Sequence, residues 1–113
     1  MVAIEQALRR VVELLVQKDY AALERITGGV RLTASEMESG VNDYPGTLTV
    51  PPPTAYSRAD VIPIRNTSPQ AYSVRFRLYT REERESDLEL QATLIDNPAA
   101  GPMTIEIDDI LVA

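Results

Sequence analysis

Residues 72–94, YSVRFRLYTREERESDLELQATL, carry the pattern that decides the fold. Apolar side chains alternate with polar ones on either side of a charged turn, at Tyr72, Val74, Phe76 and Leu78 and again at Leu88, Leu90, Ala92 and Leu94. Alternation with a period of two is typical of a β-strand that buries one face. The stretch therefore predicts an antiparallel hairpin whose two strands are joined by a loop over residues 80–86.

The two faces of this hairpin agree on one register. Aligning the apolar residues gives four cross-strand pairs, namely Tyr79 with Asp87, Leu78 with Leu88, Arg77 with Glu89 and Phe76 with Leu90. Apolar residues then meet on one face, and the opposite charges of Arg77 and Glu89 meet on the other. We therefore expect the face that carries Phe76 to lie against the core.

A third alternating run, residues 103–107, predicts the next strand after a turn at residues 97–101. Its expected partners in the hairpin are Leu94 for Met103 and Ala92 for Ile105. This register brings Asp108 beside Glu89. The outer face of the sheet would then carry a charged ladder of Arg77, Glu89 and Asp108.

The alternation slips at Asp108 and Asp109, which indicates a β-bulge or the end of the strand. We favour the bulge, because it alone turns the apolar Ile110 and Val112 toward the core. Asp109 would then be solvated. Without a bulge, Asp109 would point inward and could act as a general base.

An edge strand and a loop precede the hairpin. Residues 61–64 are apolar but include Pro63, which cannot donate to a central ladder, so we expect this run at a sheet edge. Residues 47–59 include three consecutive prolines and predict a crossing loop that acts as a rigid spacer. Arg58 and Arg65 would protect the nearby edge strand from aggregation.

Three N-terminal segments predict helices. The first has one apolar face, made by Ile4, Leu8, Val11, Val12 and Leu15. Asp19 is the expected N-cap of a second helix, which glycines 28 and 29 terminate. Thr33 and Glu36 form the capping box of a third, with Ala34, Met37, Val41 and Tyr44 on one side.

The fold class is therefore α+β, with three N-terminal helices packed on a curved antiparallel sheet of about four strands. The chain of 113 residues forms a single domain, residues 1–113. Because the first helix needs the inner face of the sheet as its cover, we expect seven residues to be buried together: Leu8, Val11, Leu15, Leu23, Phe76, Leu90 and Ile105.

Composition narrows the classes of function. The chain has no His and no Cys, which excludes an imidazole base, a thiolate nucleophile, a disulfide and the usual zinc ligands. We expect no cofactor and no metal. The net charge of −6 disfavours nucleic-acid binding and favours a basic partner. Charges interrupt the apolar pattern of residues 1–18, so we expect a cytoplasmic protein without signal peptide or membrane span.

This order of elements resembles that of the NTF2-like and cystatin-like cone folds. The second-helix region of NTF2-like domains is similar to residues 17–29, QKDYAALERITGG. A group of small bacterial domains of unknown function resembles residues 32–53, LTASEMESGVNDYPGTLTVPPP, and residues 86–112, SDLELQATLIDNPAAGPMTIEIDDILV. NTF2-like enzymes place an Asp/His or Asp/Tyr constellation in the cone, and this chain lacks the His of the first version.

Three residues are candidates for a pocket inside the cone. Tyr72 and Phe76 lie on the inner face of the predicted sheet, and Asp109 lies at the phase slip. An inward Asp109 with Tyr72 would supply the polar groups of a small-molecule site. We prefer structural roles for all three, because strand burial explains the aromatic residues and strand ends collect aspartate.

Five residues of the outer face are candidates for contact with a partner, namely Arg77, Tyr79, Glu89, Glu106 and Asp108. An exposed sheet face with mixed charge and Tyr79 could meet a cationic protein with electrostatic steering. Our first hypothesis is a non-enzymatic protein-binding domain, most concretely an immunity-type protein that neutralises a basic toxin. One alternative is an NTF2-like small-molecule binding protein or enzyme. Another is a domain that forms a homodimer through its sheet.

Overall fold

A computed structural model describes residues 2–112. Three helices come first, α1 (Val2–Val16), α2 (Tyr20–Thr27) and α3 (Ala34–Asn42). Five strands follow, β1 (Leu48–Thr49), β2 (Asp60–Ile64), β3 (Gln70–Thr80), β4 (Arg84–Asp96) and β5 (Thr104–Val112), with short 3₁₀ helices at Pro53–Arg58 and Pro98–Ala100. The helices pack against a strongly curled antiparallel sheet, so the predicted α+β class is confirmed.

The helices begin and end where the capping residues predict. The Asp19 side chain accepts a hydrogen bond from the Ala22 amide at 3.1 Å, and Gly28 ends α2 in the left-handed conformation with φ of 72°. At the start of α3 the capping box is complete, because Thr33 Oγ1 and Glu36 Oε1 each accept the other residue's amide, at 3.2 and 2.9 Å. None of the helices within residues 2–112 is long and apolar enough to cross a membrane.

The sheet has the order β1-β3-β4-β5, and β2 also pairs with β3. Since β4 occupies one side of β3, the two short strands share the other side. β2 lies at the edge, as Pro63 predicts, and it pairs with residues 71–75 of β3. β1 is only two residues long and pairs with Tyr79 and Thr80.

The predicted register of β3 and β4 is right in the centre and wrong near the turn. Phe76 pairs with Leu90, and Arg77 pairs with Glu89. Tyr79, however, pairs with Glu85 instead of Asp87, because a bulge places three residues of β4 opposite one of β3. The pair of Leu78 and Leu88 is lost to the same bulge.

Ser86 explains this bulge. Its side chain is buried, and its hydroxyl donates to the Leu78 carbonyl at 2.6 Å while accepting from the Leu88 amide at 3.1 Å. The hydroxyl therefore satisfies backbone groups that the ladder leaves unpaired. The bulged Asp87 next to it is exposed and points toward solvent.

The predicted register of β4 and β5 is wrong by two residues. Leu94 pairs with Ile105 instead of Met103, and Ala92 pairs with Ile107 instead of Ile105. The reason is the connection, which contains the 3₁₀ helix Pro98–Ala100 and delays the first residue of β5 to Thr104. Asp108 consequently does not lie beside Glu89, and the expected charged ladder does not form.

The predicted bulge in β5 is confirmed at Asp108, which lies between the Ile107–Ala92 pair and the Asp109–Gln91 pair. The bulge turns Ile110 inward, and its side chain is buried. Val112 is 60% exposed, so its expected burial is wrong. It borders an open cleft of about 190 Å³ beside α3 instead of packing beneath the helix.

The predicted core is correct, because all seven residues belong to one buried cluster: Leu8, Val11, Leu15, Leu23, Phe76, Leu90 and Ile105. The segment expected as a spacer loop contributes to this core as well. Its 3₁₀ helix Pro53–Arg58 buries Tyr56, whose ring stacks on Phe76 with centroids 5.3 Å apart and planes 5° from parallel. The Arg9 guanidinium lies 4.5 Å above the same Tyr56 ring.

Candidate functional site

A cleft of about 420 Å³ opens along the edge of β3. It lies where the sheet edge is interrupted, because β2 pairs with residues 71–75 and β1 pairs with residues 79–80. Between them, residues 76–78 have no strand beside them on this side within the described chain. The 3₁₀ helix Pro53–Arg58 contributes Ala55 and Arg58 to the wall of the cleft.

Charged side chains dominate the lining of this cleft. Three are arginines and three are acids, namely Arg58, Arg75, Arg77, Asp60, Glu85 and Glu89. The aromatic residues Phe76 and Tyr79 line it as well. Three of the five residues predicted for partner contact therefore meet here: Arg77, Tyr79 and Glu89.

Two of the arginines have partners. Arg58 donates a hydrogen bond to the hydroxyl of the buried Tyr79, and its guanidinium lies 3.8 Å from Glu85 Oε1. Arg77 donates to Asp87 Oδ1 at 3.0 Å. These ion pairs are exposed, so each contributes little to folding stability but holds a guanidinium in place at the rim.

The third arginine, Arg75, faces Asp60 across β2 and β3. The two residues are directly paired in the register, both are exposed, and both line the cleft. Within residues 2–112, neither side chain makes a hydrogen bond or an ion pair of 4.0 Å or less. The pair therefore leaves one cation and one anion available to a ligand.

Among the charged residues of the described part of the chain, Glu89 is the one that is buried, with 9% of its surface exposed. Its Oε1 accepts a hydrogen bond from Gln91 Nε2 at 2.9 Å. No Arg or Lys nitrogen of residues 2–112 lies within 4.0 Å of this carboxylate. A buried acid is usually paired with a cation, so Glu89 stands out among the residues that line this cleft.

The other two predicted contact residues, Glu106 and Asp108, lie elsewhere on the outer face. Arg31, from the loop between α2 and α3, reaches both carboxylates, with its Nε 3.8 Å from Glu106 and 3.6 Å from Asp108. Asp108 Oδ2 also accepts from Thr93 Oγ1 at 2.7 Å, while its buried Oδ1 accepts no hydrogen bond within residues 2–112. The predicted set of contact residues thus separates into two clusters.

The acidic turn between β3 and β4 has a structural role. The Glu82 carboxylate accepts the Thr47 amide at 2.8 Å, and this hydrogen bond holds the pKa of Glu82 below its usual value. Tyr44, beyond the end of α3, donates its hydroxyl to Glu83, and this bond raises the pKa of Tyr44. Both acids anchor the turn to the segment that follows α3.

The three residues predicted for a pocket inside the cone are not brought together. Phe76 is buried under Tyr56, Tyr72 pairs with Pro63 and Leu94 at the other end of β3, and Asp109 is exposed on β5. The space expected for a ligand is filled by the stacked rings. Among residues 2–112, no group of three or more acidic side chains is arranged to hold a metal ion.

Four charged lining residues were not among the predicted contact residues, namely Arg58, Asp60, Arg75 and Glu85. Arg58 was expected to protect an edge strand, and it does lie beside one. The cleft depends on the interrupted pairing along β3, and a two-residue strand such as β1 leaves no pattern in a sequence. Only the alternating charge of residues 75–89 indicated that this face is polar.

A protein-family model described as a domain of unknown function, DUF7668, matches residues 12–113. The match spans α2 and α3, all five strands and every residue that lines the cleft. Neither the comparison with curated proteins nor that with solved structures finds a match.

Proposed function

The chain belongs to the DUF7668 family of domains of unknown function, and we propose that it is a non-enzymatic protein-binding domain. Its partner is a basic protein, and its binding surface is the outer face of the sheet around the cleft. We name this surface the cleft face and define it by the residues that carry its charge: Arg58, Asp60, Arg75, Arg77, Glu85, Asp87 and Glu89.

The observation that carries this proposal is an excess of acid at the cleft face. Its four carboxylates, Asp60, Glu85, Asp87 and Glu89, exceed its three arginines by one. The chain as a whole has a net charge of −6, which would raise the rate of encounter with a cationic protein. A buried acid surrounded by exposed charges is consistent with a polar protein interface.

A protein fits this surface better than a small molecule bound inside the sheet. The interior that a cone-shaped carrier would use is occupied by Tyr56 and Phe76, which are both buried. The cleft, by contrast, opens at the surface between β3 and the 3₁₀ helix Pro53–Arg58. A partner that covers the cleft face would contact several elements at once.

The specific form we propose is an immunity-type protein of the bacterial cytoplasm that covers and neutralises a basic toxin. Small size, acidic charge and the lack of His and Cys support this form. We also propose that the fold is related to the NTF2-like domains, on the order of its helices and strands.

The test starts with the full chain, tagged, as bait in a lysate of the cells that make it. A basic protein should be retained in stoichiometric amount, and the same protein, purified separately, should bind the chain one to one in calorimetry. The matched baits are a cleft triple variant, Asp60→Asn/Glu85→Gln/Glu89→Gln, and a helix-face triple variant, Glu13→Gln/Glu38→Gln/Asp43→Asn.

Both triple variants lose three negative charges, so they separate local contact from net charge. The cleft variant should weaken binding at least tenfold more than the helix-face variant does. Equal effects would contradict the cleft face as the binding surface. Recovery of a second copy of the chain alone, with a dimeric mass in solution, would replace the proposal with a homodimer.

A further inference from the structure

We infer that the cleft is a socket for one cationic side chain, an arginine carried by the protein partner, and that Glu89 is its acceptor. This inference rests on the proposed function and names the chemistry that the partner must present. Three conditions must hold. One acid in the cleft must lack a cationic partner, the charge difference must be one, and the cleft must be large enough for an arginine side chain.

The carboxylate that a cation would bind is that of Glu89. Only 9% of the surface of this residue is exposed, and it lines the cleft. Its one hydrogen bond within residues 2–112 comes from the neutral amide of Gln91, and Oε2 accepts none. A guanidinium in the cleft would supply charge and two donors to this carboxylate.

None of the three lining arginines lies within 4.0 Å of the Glu89 carboxylate. Arg77 is paired with Glu89 in the register, but its guanidinium donates to Asp87. Arg58 is held by the Tyr79 hydroxyl and lies 3.8 Å from Glu85. Two of the three arginines are therefore held by other groups, and the third, Arg75, is paired in the register with Asp60 and Gln91.

The number of charges points to a single cation. Arg58 balances Glu85, Arg77 balances Asp87, and Arg75 faces Asp60. Glu89 is the acid that remains. The cleft face as a whole carries one acid more than it has arginines, so a cation is favoured over an anion.

The shape of the cleft suits an arginine. A volume of about 420 Å³ holds one amino-acid residue with water around it. Phe76 and Tyr79 line the same cleft, and a planar guanidinium packs well against aromatic groups while it binds a carboxylate through two nitrogens. A single side chain inserted from a larger partner is the usual form of an interface hot spot.

The test uses N-acetyl-arginine amide as the probe, titrated into the ¹⁵N-labelled full chain and followed by NMR. Saturable shifts should appear at backbone amides of residues 75–79 and 85–89. N-acetyl-citrulline amide has nearly the same shape without the charge, and it should bind at least tenfold more weakly. Glu89→Gln should weaken arginine binding at least tenfold, whereas the matched Glu38→Gln on α3 should leave it unchanged.

Several outcomes would overturn the socket. Citrulline binding equal to arginine binding would exclude a charge-selective site, and stronger binding of N-acetyl-aspartate amide would make it an anion site. These probes act on the wild-type chain, so the result does not depend on the folding of any variant.

If the purified partner binds the Glu89→Gln protein as tightly as the wild type, the socket is wrong and the protein-binding function stands. If the arginine probe binds but no protein partner exists, the socket stands alone as a site for a free organic cation.

Discussion

Arg77 lies directly opposite Glu89 on the neighbouring strand, yet its guanidinium binds Asp87 at a distance of 3.0 Å. The cause is the bulge at Ser86, which moves Asp87 out of the ladder and within reach of Arg77. Among residues 2–112, the Glu89 side chain keeps one hydrogen bond, from Gln91. One local irregularity of β4 thus creates the unbalanced carboxylate on which the cleft face depends.

Replacing Arg77 with alanine should change the free energy of unfolding by less than about 1 kcal/mol. Its ion pair with Asp87 is exposed, with 43% and 65% of the two side chains accessible to solvent. Urea denaturation at low and high salt measures the effect, with Arg65→Ala as the control for loss of an exposed arginine. A loss above about 2 kcal/mol would mean that Arg77 stabilises the buried Glu89 directly.

Replacing Phe76 with alanine should destabilise the fold by about 3–5 kcal/mol. The ring is buried in the single core cluster and stacks on Tyr56. Phe76→Leu keeps most of the apolar volume and should cost about 1.5 kcal/mol or less. Chemical denaturation compares the three proteins. If the alanine variant lost less than about 1 kcal/mol, Phe76 would be peripheral and the inner face of β3 misassigned.

Replacing Tyr56 with phenylalanine should leave stability unchanged or raise it by about 1 kcal/mol. The Tyr56 hydroxyl is buried, and it makes no hydrogen bond with any of residues 2–112. Its removal relieves an unsatisfied polar group and keeps the stacked ring. A thermal melt of the variant beside the wild type gives the sign. A clear loss of stability would reveal a partner for this hydroxyl.

Stability should fall in acid, and Glu82 should carry part of the effect. The Thr47 amide lowers the pKa of this carboxyl in the folded state below the usual 4.5. A lowered folded-state pKa contributes stability above the unfolded value, and that contribution is lost as the pH falls through the folded value. Wild type should therefore be more stable than Glu82→Gln at neutral pH, and the two should converge well below pH 4.5. A difference that is constant with pH would exclude the ionised hydrogen bond.

The helices and the core could be predicted because their signals are local. Asp19, Gly28 and the Thr33–Glu36 box each act within one turn, and the alternation in β3 and β4 identifies the buried face without knowledge of any partner. The bulge at Asp108 was also visible, since a phase slip in an alternating strand has few other causes.

Registers near the turns could not be predicted with the same rules. The Tyr79–Asp87 pairing failed because one buried hydroxyl, that of Ser86, substitutes for ladder hydrogen bonds. The pairing of Leu94 failed because the length of a connection depends on its own 3₁₀ helix. An alternating pattern shows which face of the sheet a residue occupies, but it does not show which residue lies opposite. Both register errors leave each side chain on its predicted face and change only its cross-strand partner.

The sequence predicted only part of the candidate site, because alternation shows the face of a residue and does not show its neighbours. Arg77, Tyr79 and Glu89 share one face of two neighbouring strands, so the sequence places them together. Arg58 and Asp60 join them only through the gap between β1 and β2, which is a tertiary feature. Glu106 and Asp108 were misplaced because their expected position depended on the β5 register.

The most direct test of the protein-binding account is the footprint of the purified partner on the ¹⁵N-labelled chain. The account predicts that amide shifts and protection from exchange concentrate at residues 55–60, 75–79 and 85–89, and that they disappear at high salt together with binding. A footprint confined to the outward surface of α1, α2 and α3, or one that persists in the cleft triple variant, would contradict it.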